Sequence, residues 1–303
     1  MKNKIQYIIF ILFFGMLSSI SAQDLLDKLD SEFPENSLYT LATFKTTRIS
    51  IGQSIETRAK GGLEISVINR FWNKPNNENT QRFLADEVNT RFAIDYGISD
   101  RFTIGFGAST FDGLVDGSLK YRLFRQRSNT KKSSVSVTLF QNISYDDRAL
   151  DNISIIGYDN NSAKKFAYTS QLLIGKKFNQ KFSAQISPTF VHRSSSDISN
   201  DPNNQFAIGF GARHKIGSHT SVVSEYYYVA NPMKSFDTYN AFAVGINWEV
   251  SDLMLQFNIT NARNVVEDAF ITKTRNNFNF HDGNFHFGFS ATLILHTRKN
   301  KLN

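Results

Sequence analysis

Alternation with a period of two, held for about ten residues at a stretch, constrains this chain more than any other feature. Phe242, Val244, Ile246, Trp248 and Val250 alternate with Ala241, Ala243, Gly245, Asn247 and Glu249. After Ser251-Asp252 the pattern resumes, with Leu253, Leu255, Phe257 and Ile259 set against Met254, Gln256, Asn258 and Thr260. It returns as Phe285, Phe287, Phe289, Ala291, Leu293 and Leu295 against Asn284, His286, Gly288, Ser290 and Thr292. A strand turns successive side chains to opposite faces, so each segment is a ribbon with one apolar and one polar side. Such ribbons can close into a barrel in a membrane, where closure satisfies every backbone hydrogen bond.

Ahead of the ribbons come Lys2 and Lys4, an apolar run over residues 5–17 and the stretch Ser18-Ser19-Ile20-Ser21-Ala22-Gln23. This predicts a secretory signal peptide over residues 1–22, cut after Ala22. The run is short for a helix that must cross about 30 Å of hydrocarbon. The formal charge of +7 falls to +5 once Lys2 and Lys4 are removed, and it is spread along the chain rather than clustered. That distribution argues against a nucleic-acid partner. There is no cysteine, hence no disulfide and no lipidation site despite the export signal.

No later stretch approaches the roughly eighteen apolar residues of a helical span. Aromatic residues nevertheless make up 14%, with 28 Phe, while mean hydropathy is negative. A barrel reconciles the two, because half of every strand faces a polar lumen. Read this way, residues 61–296 divide into twelve outward sets, beginning with Leu63, Ile65, Val67 and Phe71, then Val88, Thr90, Phe92, Ile94 and Tyr96. One later set runs Val115, Leu119, Tyr121 and Leu123. Short connections at Ser99-Asp100, Asn179-Gln180, Gly217-Ser218 and Ser251-Asp252, with a somewhat longer one near 127–132, alternate with long ones at 73–87, 145–164, 192–204, 230–237 and 262–283; only Asp112-Gly113 is short on the long side. The expected fold is an all-β, transmembrane, antiparallel up-and-down barrel of about twelve strands. Tight turns on the periplasmic side would leave both ends of the barrel there, with a basic tail at 297–303.

The segment 23–60 breaks the pattern. Around residues 38–51 one face would carry Phe44 with Arg48 and the other Leu41 with Lys45, so neither could meet lipid without burying a charge. It is therefore expected to be periplasmic or folded into the lumen rather than a further pair of strands. Within the ribbons, Gly62, Gly97, Gly105, Gly107, Gly175, Gly209, Gly211, Gly245 and Gly288 all fall on the polar side, leaving space inside the barrel.

Ala42-Thr43-Phe44-Lys45-Thr46-Thr47-Arg48, Gly52-Gln53-Ser54-Ile55-Glu56, Gly61-Gly62-Leu63-Glu64 and Asn69-Arg70-Phe71 resemble the opening of a family of bacterial outer-membrane β-barrels known only as a domain of unknown function. Residues 96–105, Asp112-Gly113 and Lys120-Tyr121-Arg122-Leu123 are similar to that family too. The resemblance spans about residues 38–125. It implies the outer membrane of a diderm bacterium and brings no reaction, ligand or site residues.

Several local patterns invite catalytic or metal chemistry. Gly105-Phe106-Gly107 and Gly209-Phe210-Gly211 lack the third glycine and the following helix of a phosphate loop. His281-Asp282 with His286 offers metal-ligand types, but scattered histidines produce such pairs by chance. His192 with Ser194, and Asp146-Asp147, are the residue types of a barrel hydrolase and read equally as ordinary strand-end residues. No cofactor, catalytic or metal site is expected.

The inward charges are more informative. Glu64, Arg70, Arg91, Asp95, Asp116, Lys120, Arg122, Lys177, Arg213 and Glu225 all take the lumen side of the register, with cations in the majority. They can pair across the lumen as a packed polar core, or line a narrow path for small polar or anionic solutes. Tyr96, Phe102, Tyr121, Tyr168, Tyr226, Tyr228 and Trp248 stand near the ends of outward faces, as aromatic girdles do. The expected function is a narrow channel; the alternative is a plugged barrel binding a partner through its long loops. Expected partners are outer-membrane lipid, periplasmic chaperones and the barrel assembly machinery, which would read residues 285–295 because no aromatic ends the chain. The alternation also predicts that Leu255→Arg impairs insertion while Gln256→Arg is tolerated.

Overall fold

The computed structural model describes residues 39–40, 43–72, 85–111, 113–127, 134–146, 166–194, 201–279 and 285–296. The proposed signal peptide, residues 23–38, the tail 297–303, and Asp112, Asp147, His281 and Asp282 lie outside the described residues.

Among the described residues twelve strands form: β1 Gly62–Trp72, β2 Glu87–Ser99, β3 Phe102–Ser109, β4 Leu114–Phe124, β5 Ser136–Asp146, β6 Phe166–Lys177, β7 Phe182–Arg193, β8 Asn204–Lys215, β9 Thr220–Val229, β10 Ala241–Val250, β11 Leu253–Thr260 and β12 His286–His296. Each pairs antiparallel with its neighbours in sequence, and β12 returns to β1 through a ladder from Gly62 opposite His296 to Phe71 opposite Phe287. The barrel is closed, so its wall offers no free strand edge. A six-residue helix, α1 Glu267–Thr272, lies in the connection from β11 to β12.

Exposure follows the alternation strand by strand. In β1 every second residue is buried, from Gly62 to Trp72, while Leu63, Ile65, Val67 and Phe71 are partly exposed on the other face. Phe92, Ile94, Phe106, Leu119, Phe206, Phe210, Ile246 and Phe257 are exposed apolar side chains, and all point outward. In water such a belt would be an aggregation surface; in hydrocarbon it is matched to its solvent. The girdle residues sort to the two rims. Tyr96, Phe102, Tyr121 and Trp248 stand at the short-turn ends of β2, β3, β4 and β10, with Tyr168, Tyr226 and Tyr228 toward the long-loop ends of β6 and β9.

One position departs from the expected sets. The ladder between β4 and β5 shifts register between Arg122 and Phe124, making Leu123 the extra residue of a bulge. A bulge leaves one residue unpaired and reverses the parity after it. Phe124, rather than a continuation of the odd-numbered set, therefore faces outward at 62% exposure.

Candidate functional site

The lumen is filled by residues 43–60, which share no period with the strands because they are not part of the wall. They form a hairpin inside the barrel. Ile49 N donates to Gly52 O at 2.9 Å, Ser54 N donates to Thr47 O at 2.8 Å, and Arg48 faces Gln53 in an isolated bridge. The return arm ends in a tight turn where Gly62 N donates to Ala59 O at 2.8 Å and Gly61, with φ 76°, takes the left-handed conformation that glycine tolerates. Gly61 N also donates to Gly97 O, which places this exit at the short-turn rim.

Inward side chains from around the wall hold the hairpin by its backbone. Glu225 of β9 accepts from Ser50 N at 2.8 Å, Ile51 N at 2.6 Å and Gly52 N at 3.1 Å, with Tyr227 Oη donating to its other oxygen at 3.2 Å. Lys120 of β4 donates to Thr47 O at 2.6 Å, Ser54 O at 3.0 Å and Glu56 O at 3.4 Å. Gln185 of β7 accepts from Ile55 N and donates to Gln53 O, and Thr138 of β5 donates to Ile55 O. Asn247 of β10 and Gln256 of β11 both donate to Ile49 O. Glu64 of β1 accepts from Thr47 N and Oγ1 and pairs with Arg58 at 3.2 Å, and Asp95 of β2 accepts from Thr47 Oγ1. A segment held from this many directions can only be inside the ring.

Packing agrees. Phe44, Ile49 and Ile55 of the hairpin cluster with Phe140, Leu173 and Val223, which point inward from β5, β6 and β9. Each such side chain taken from water stabilises by about 1.5–3 kcal/mol. The inward glycines make the room. A Cβ on Gly97 would meet the backbone oxygen of Ala59, one on Gly175 would press on Ile55, and one on Gly211 would strike Ile49. Gly107 and Gly209 likewise accommodate the Arg91 guanidinium and the Tyr227 ring, which accounts for both Gly-Phe-Gly repeats as close packing within strands.

From the opposite rim the β11–β12 connection descends to meet the hairpin tip. Glu267 of α1 pairs with Arg48 at 2.7 Å and accepts from Gln53 Nε2 at 2.8 Å. Asp268 accepts from Ser144 Oγ at 2.8 Å and pairs with Arg193 at 3.7 Å, and Arg193 also donates to Thr272 Oγ1. Phe270 and Ile271 pack with Ile51, Tyr227, Ala241 and Ala243. Hairpin and loop thus meet end to end.

The remaining inward charges occupy the two ends. Arg91 grips Asp116 with two bonds, at 2.9 and 2.6 Å, and Asn142 donates to the same carboxylate. At the short-turn rim Glu249 joins Lys45 and Arg213, each at 2.9 Å, and Arg122 lies 3.6 Å from Glu56. Lys177 stands at that rim too, its backbone N and O bonded by the Gln126 amide. Arg70 is buried, donates to Asn69 O at 3.1 Å, and has no carboxylate within ion-pair distance among the described residues.

Of the hydrolase and metal candidates, His192, Ser194, Asp146 and His286 lie among the described residues, and His192 and Ser194 bond elsewhere rather than to each other. His192 faces outward, with Nδ1 2.7 Å from Asn204 Oδ1, and Ser194 is an exposed strand-end residue whose N donates to Phe166 O. His286 faces inward against the Trp72 ring, with Nε2 2.7 Å from the Asn276 amide. Sequence reasoning named the charged wall residues and missed Thr138, Gln185, Asn247, Gln256, Arg193, Glu267 and Asp268. The available signal was the pair of large apolar residues on the polar face, Phe140 and Leu173, which only an apolar filler could cover.

Over residues 44–295 the sequence matches a family described as a membrane bound beta barrel domain (DUF5777). The chain belongs to that family. The outward apolar belt is accordingly its membrane face. No curated protein matches the sequence. Among solved structures, it is similar to the NanC porin (TM-score 0.47, 9% identity, covering 78% of this chain and 100% of that one) and the KdgM porin (TM-score 0.46, 8% identity, 78% and 99%). It is also similar to an outer membrane channel from Pseudomonas putida F1 (TM-score 0.42, 12% identity, 80% and 98%).

Proposed function

We propose that this protein is an outer-membrane barrel of the channel type, held shut by its own hairpin, that does not conduct at rest and carries out no covalent chemistry. The long loops, one of which already reaches the plug tip through Glu267, are where a partner or solute would act on it. The observation that carries this reading is the set of backbone contacts from Glu225 to the tip and from Lys120 to both arms of the 43–60 hairpin. Charged groups that bond a backbone segment inside the lumen close it, whereas the same groups facing water would line a pore.

Planar-bilayer recording tests it. Purified wild-type protein should be silent at low voltage, and a Glu225→Gln/Lys120→Met variant should show discrete openings. A steady open-pore conductance from the wild type would refute the plugged reading. A second reading, passage of small anionic solutes once the plug moves, draws on Arg70, Arg91, Lys120, Arg122, Lys177 and Arg213 outnumbering Glu64, Asp95, Asp116 and Glu225. Its test is the reversal potential of the opened variant in a salt gradient, which should show anion preference.

A further inference from the structure

We propose that a cavity at the long-loop rim binds a small organic oxyanion, a solute carrying carboxylate or phosphate. The inference rests on the anionic-solute reading and deepens it by giving the solute an entry site; it is tested on the closed barrel, so the two can fail separately. The cavity, of about 270 Å³, lies between the β11–β12 connection, which supplies Arg263, Asn264 and residues 273–276, and Phe236 of the β9–β10 connection. Among the described residues its lining holds three cations and no Asp or Glu.

Two arginines carry the argument. Arg263 lies over both the Trp72 and the Phe111 rings, 5.3 Å from each centroid, and Arg275 lies 4.2 Å from the centroid of Phe236. Stacking fixes the plane of a guanidinium and keeps its N–H groups on the edge, where a carboxylate or phosphate can take two of them at once. Neither side chain has an ion pair or a hydrogen bond among the described residues. The backbone that carries them is fixed. Asn89 Nδ2 donates to Arg263 O at 3.4 Å, Asn261 Nδ2 to Asn276 O at 2.8 Å, Tyr239 N to Thr274 O at 2.8 Å and Thr274 Oγ1 to Phe270 O at 2.6 Å. Lys273 closes α1, its N donating to Ala269 O at 2.9 Å, and its charge acts on Asp201 across the loops, so the case rests on the arginines.

A second observation leads inward from the cavity. Asn276 of its lining bonds His286, whose ring meets Trp72 edge-on. Below them buried polar groups stand without partners: Trp72 Nε1, then Arg70 Nε and both amide atoms of Asn258. Arg70, Gly288 and Asn258 are direct neighbours across β1, β12 and β11, one inward row below Trp72. Buried polar groups are nearly always satisfied in folded proteins, so a file of them under a cationic mouth points to a ligand that supplies the missing acceptor. Tight turns at the other rim make this mouth the outer one, the side from which a solute would arrive. The rival occupant is the chain itself, since Asp237 follows Phe236 and Asp282 lies six residues after Asn276 in sequence.

The chain has two tryptophans, so Trp248→Phe leaves Trp72, beneath Arg263, as the single indole fluorophore. The full-length, detergent-folded Trp248→Phe protein is titrated with 3-phosphoglycerate, with glycerol and with sodium chloride at matched ionic strength. Fluorescence reads the site, and calorimetry gives the affinity independently of the indole signal. 3-Phosphoglycerate should bind saturably, glycerol and chloride should not, and Arg263→Gln/Arg275→Gln should weaken binding at least about tenfold. Lys181→Gln/Lys215→Gln, which removes charge at the short-turn rim, should leave the affinity unchanged. Absence of saturable binding, displacement by chloride at equal ionic strength, or unaltered affinity in the Arg263→Gln/Arg275→Gln protein would overturn the proposal. So would a more than about tenfold gain in affinity on Asp237→Asn/Asp282→Asn, because the cavity would then belong to the chain's own carboxylates. Binding as expected, with no anion preference in the opened variant, would support the site and end the passage reading alone.

Discussion

Glu225→Gln probes the plug at its tightest point, and its effect can be worked out from the contacts. The carboxylate takes three backbone N–H groups of the hairpin tip and the Tyr227 hydroxyl. Glutamine keeps one oxygen and turns its NH₂ toward Tyr227 Oη. With the amide oxygen kept where Oε2 stands, all three N–H groups retain an acceptor, and each of the three bonds weakens by about 1 kcal/mol as that acceptor loses its charge. A total near 3 kcal/mol raises the ratio of displaced to seated hairpin about 100-fold. Because the chain has no cysteine, Ser50→Cys supplies a single reporter, and the Ser50 Oγ has no hydrogen-bond partner to lose. Maleimide should label Cys at that position about 100-fold faster in the Glu225→Gln background, with the barrel still folded by heat-modifiable gel mobility. Equal rates in the two backgrounds would refute the view that Glu225 holds the hairpin in place.

Two further outcomes follow from the register and from the loops. Leu255→Arg should impair insertion by less than the roughly 2–4 kcal/mol of a midplane position, because Leu255 pairs with Trp248 near the short-turn rim; the folded fraction in vesicles measures it. Gln256→Arg, expected from alternation to be harmless, should instead insert normally and unseat the plug, because Gln256 is buried and donates to Ile49 O at 2.8 Å; faster labelling at position 50 reads this out. Asp201, in the β7–β8 connection, clamps the β9–β10 connection by accepting from Lys234 N, Ser235 N and Ser235 Oγ. Burial resists its charge, but these bonds and the nearby Lys273 outweigh it and hold the carboxyl below its usual range. A depressed folded value means the clamp is complete above the unfolded value of about 3.9 and is lost as pH falls through the lower folded one. Hydrogen exchange at the Lys234 and Ser235 amides should stay protected from pH 7 to 5 and loosen only below about pH 4, whereas Asp201→Asn should loosen them throughout.

The wall was legible because lipid imposes a rule on each residue separately. A position either meets hydrocarbon or does not, so Phe242 to Val250 and Leu253 to Ile259 could be assigned to faces with no knowledge of their neighbours. The lumen obeys no such rule. Glu64 and Lys120 are inward by parity, but whether they face water or Thr47 depends on a segment far away in sequence that shows no period of its own. Its seat is written instead in exceptions to the pattern: Phe140, Leu173 and Val223 on the polar face, and glycines opposite Ile49, Ile55 and Ala59. The bulge at Leu123 was hidden for a related reason, since one inserted residue changes parity without changing composition.

Arg70 is a lumen charge with neither a hydrogen bond to the plug nor an ion-pair partner among the described residues, and that makes it the sharpest link to the anion reading. Its guanidinium is fully buried, its Nε has no hydrogen-bond partner, and Asn258, which lies beside it at Gly288, has both amide atoms unpartnered. An isolated buried cation costs several kcal/mol, so a chain selected for stability alone would carry an apolar residue there. Arg70→Met should therefore raise the thermal midpoint of the detergent-folded barrel, by about 2–4 °C for each kcal/mol recovered. If the charge is kept for anions, the same substitution in the opened Glu225→Gln/Lys120→Met background should reduce anion preference in the reversal potential while improving stability. A lowered midpoint would mean that Arg70 is compensated after all and contributes to packing, and the case for a retained anion-directed charge would fall with it.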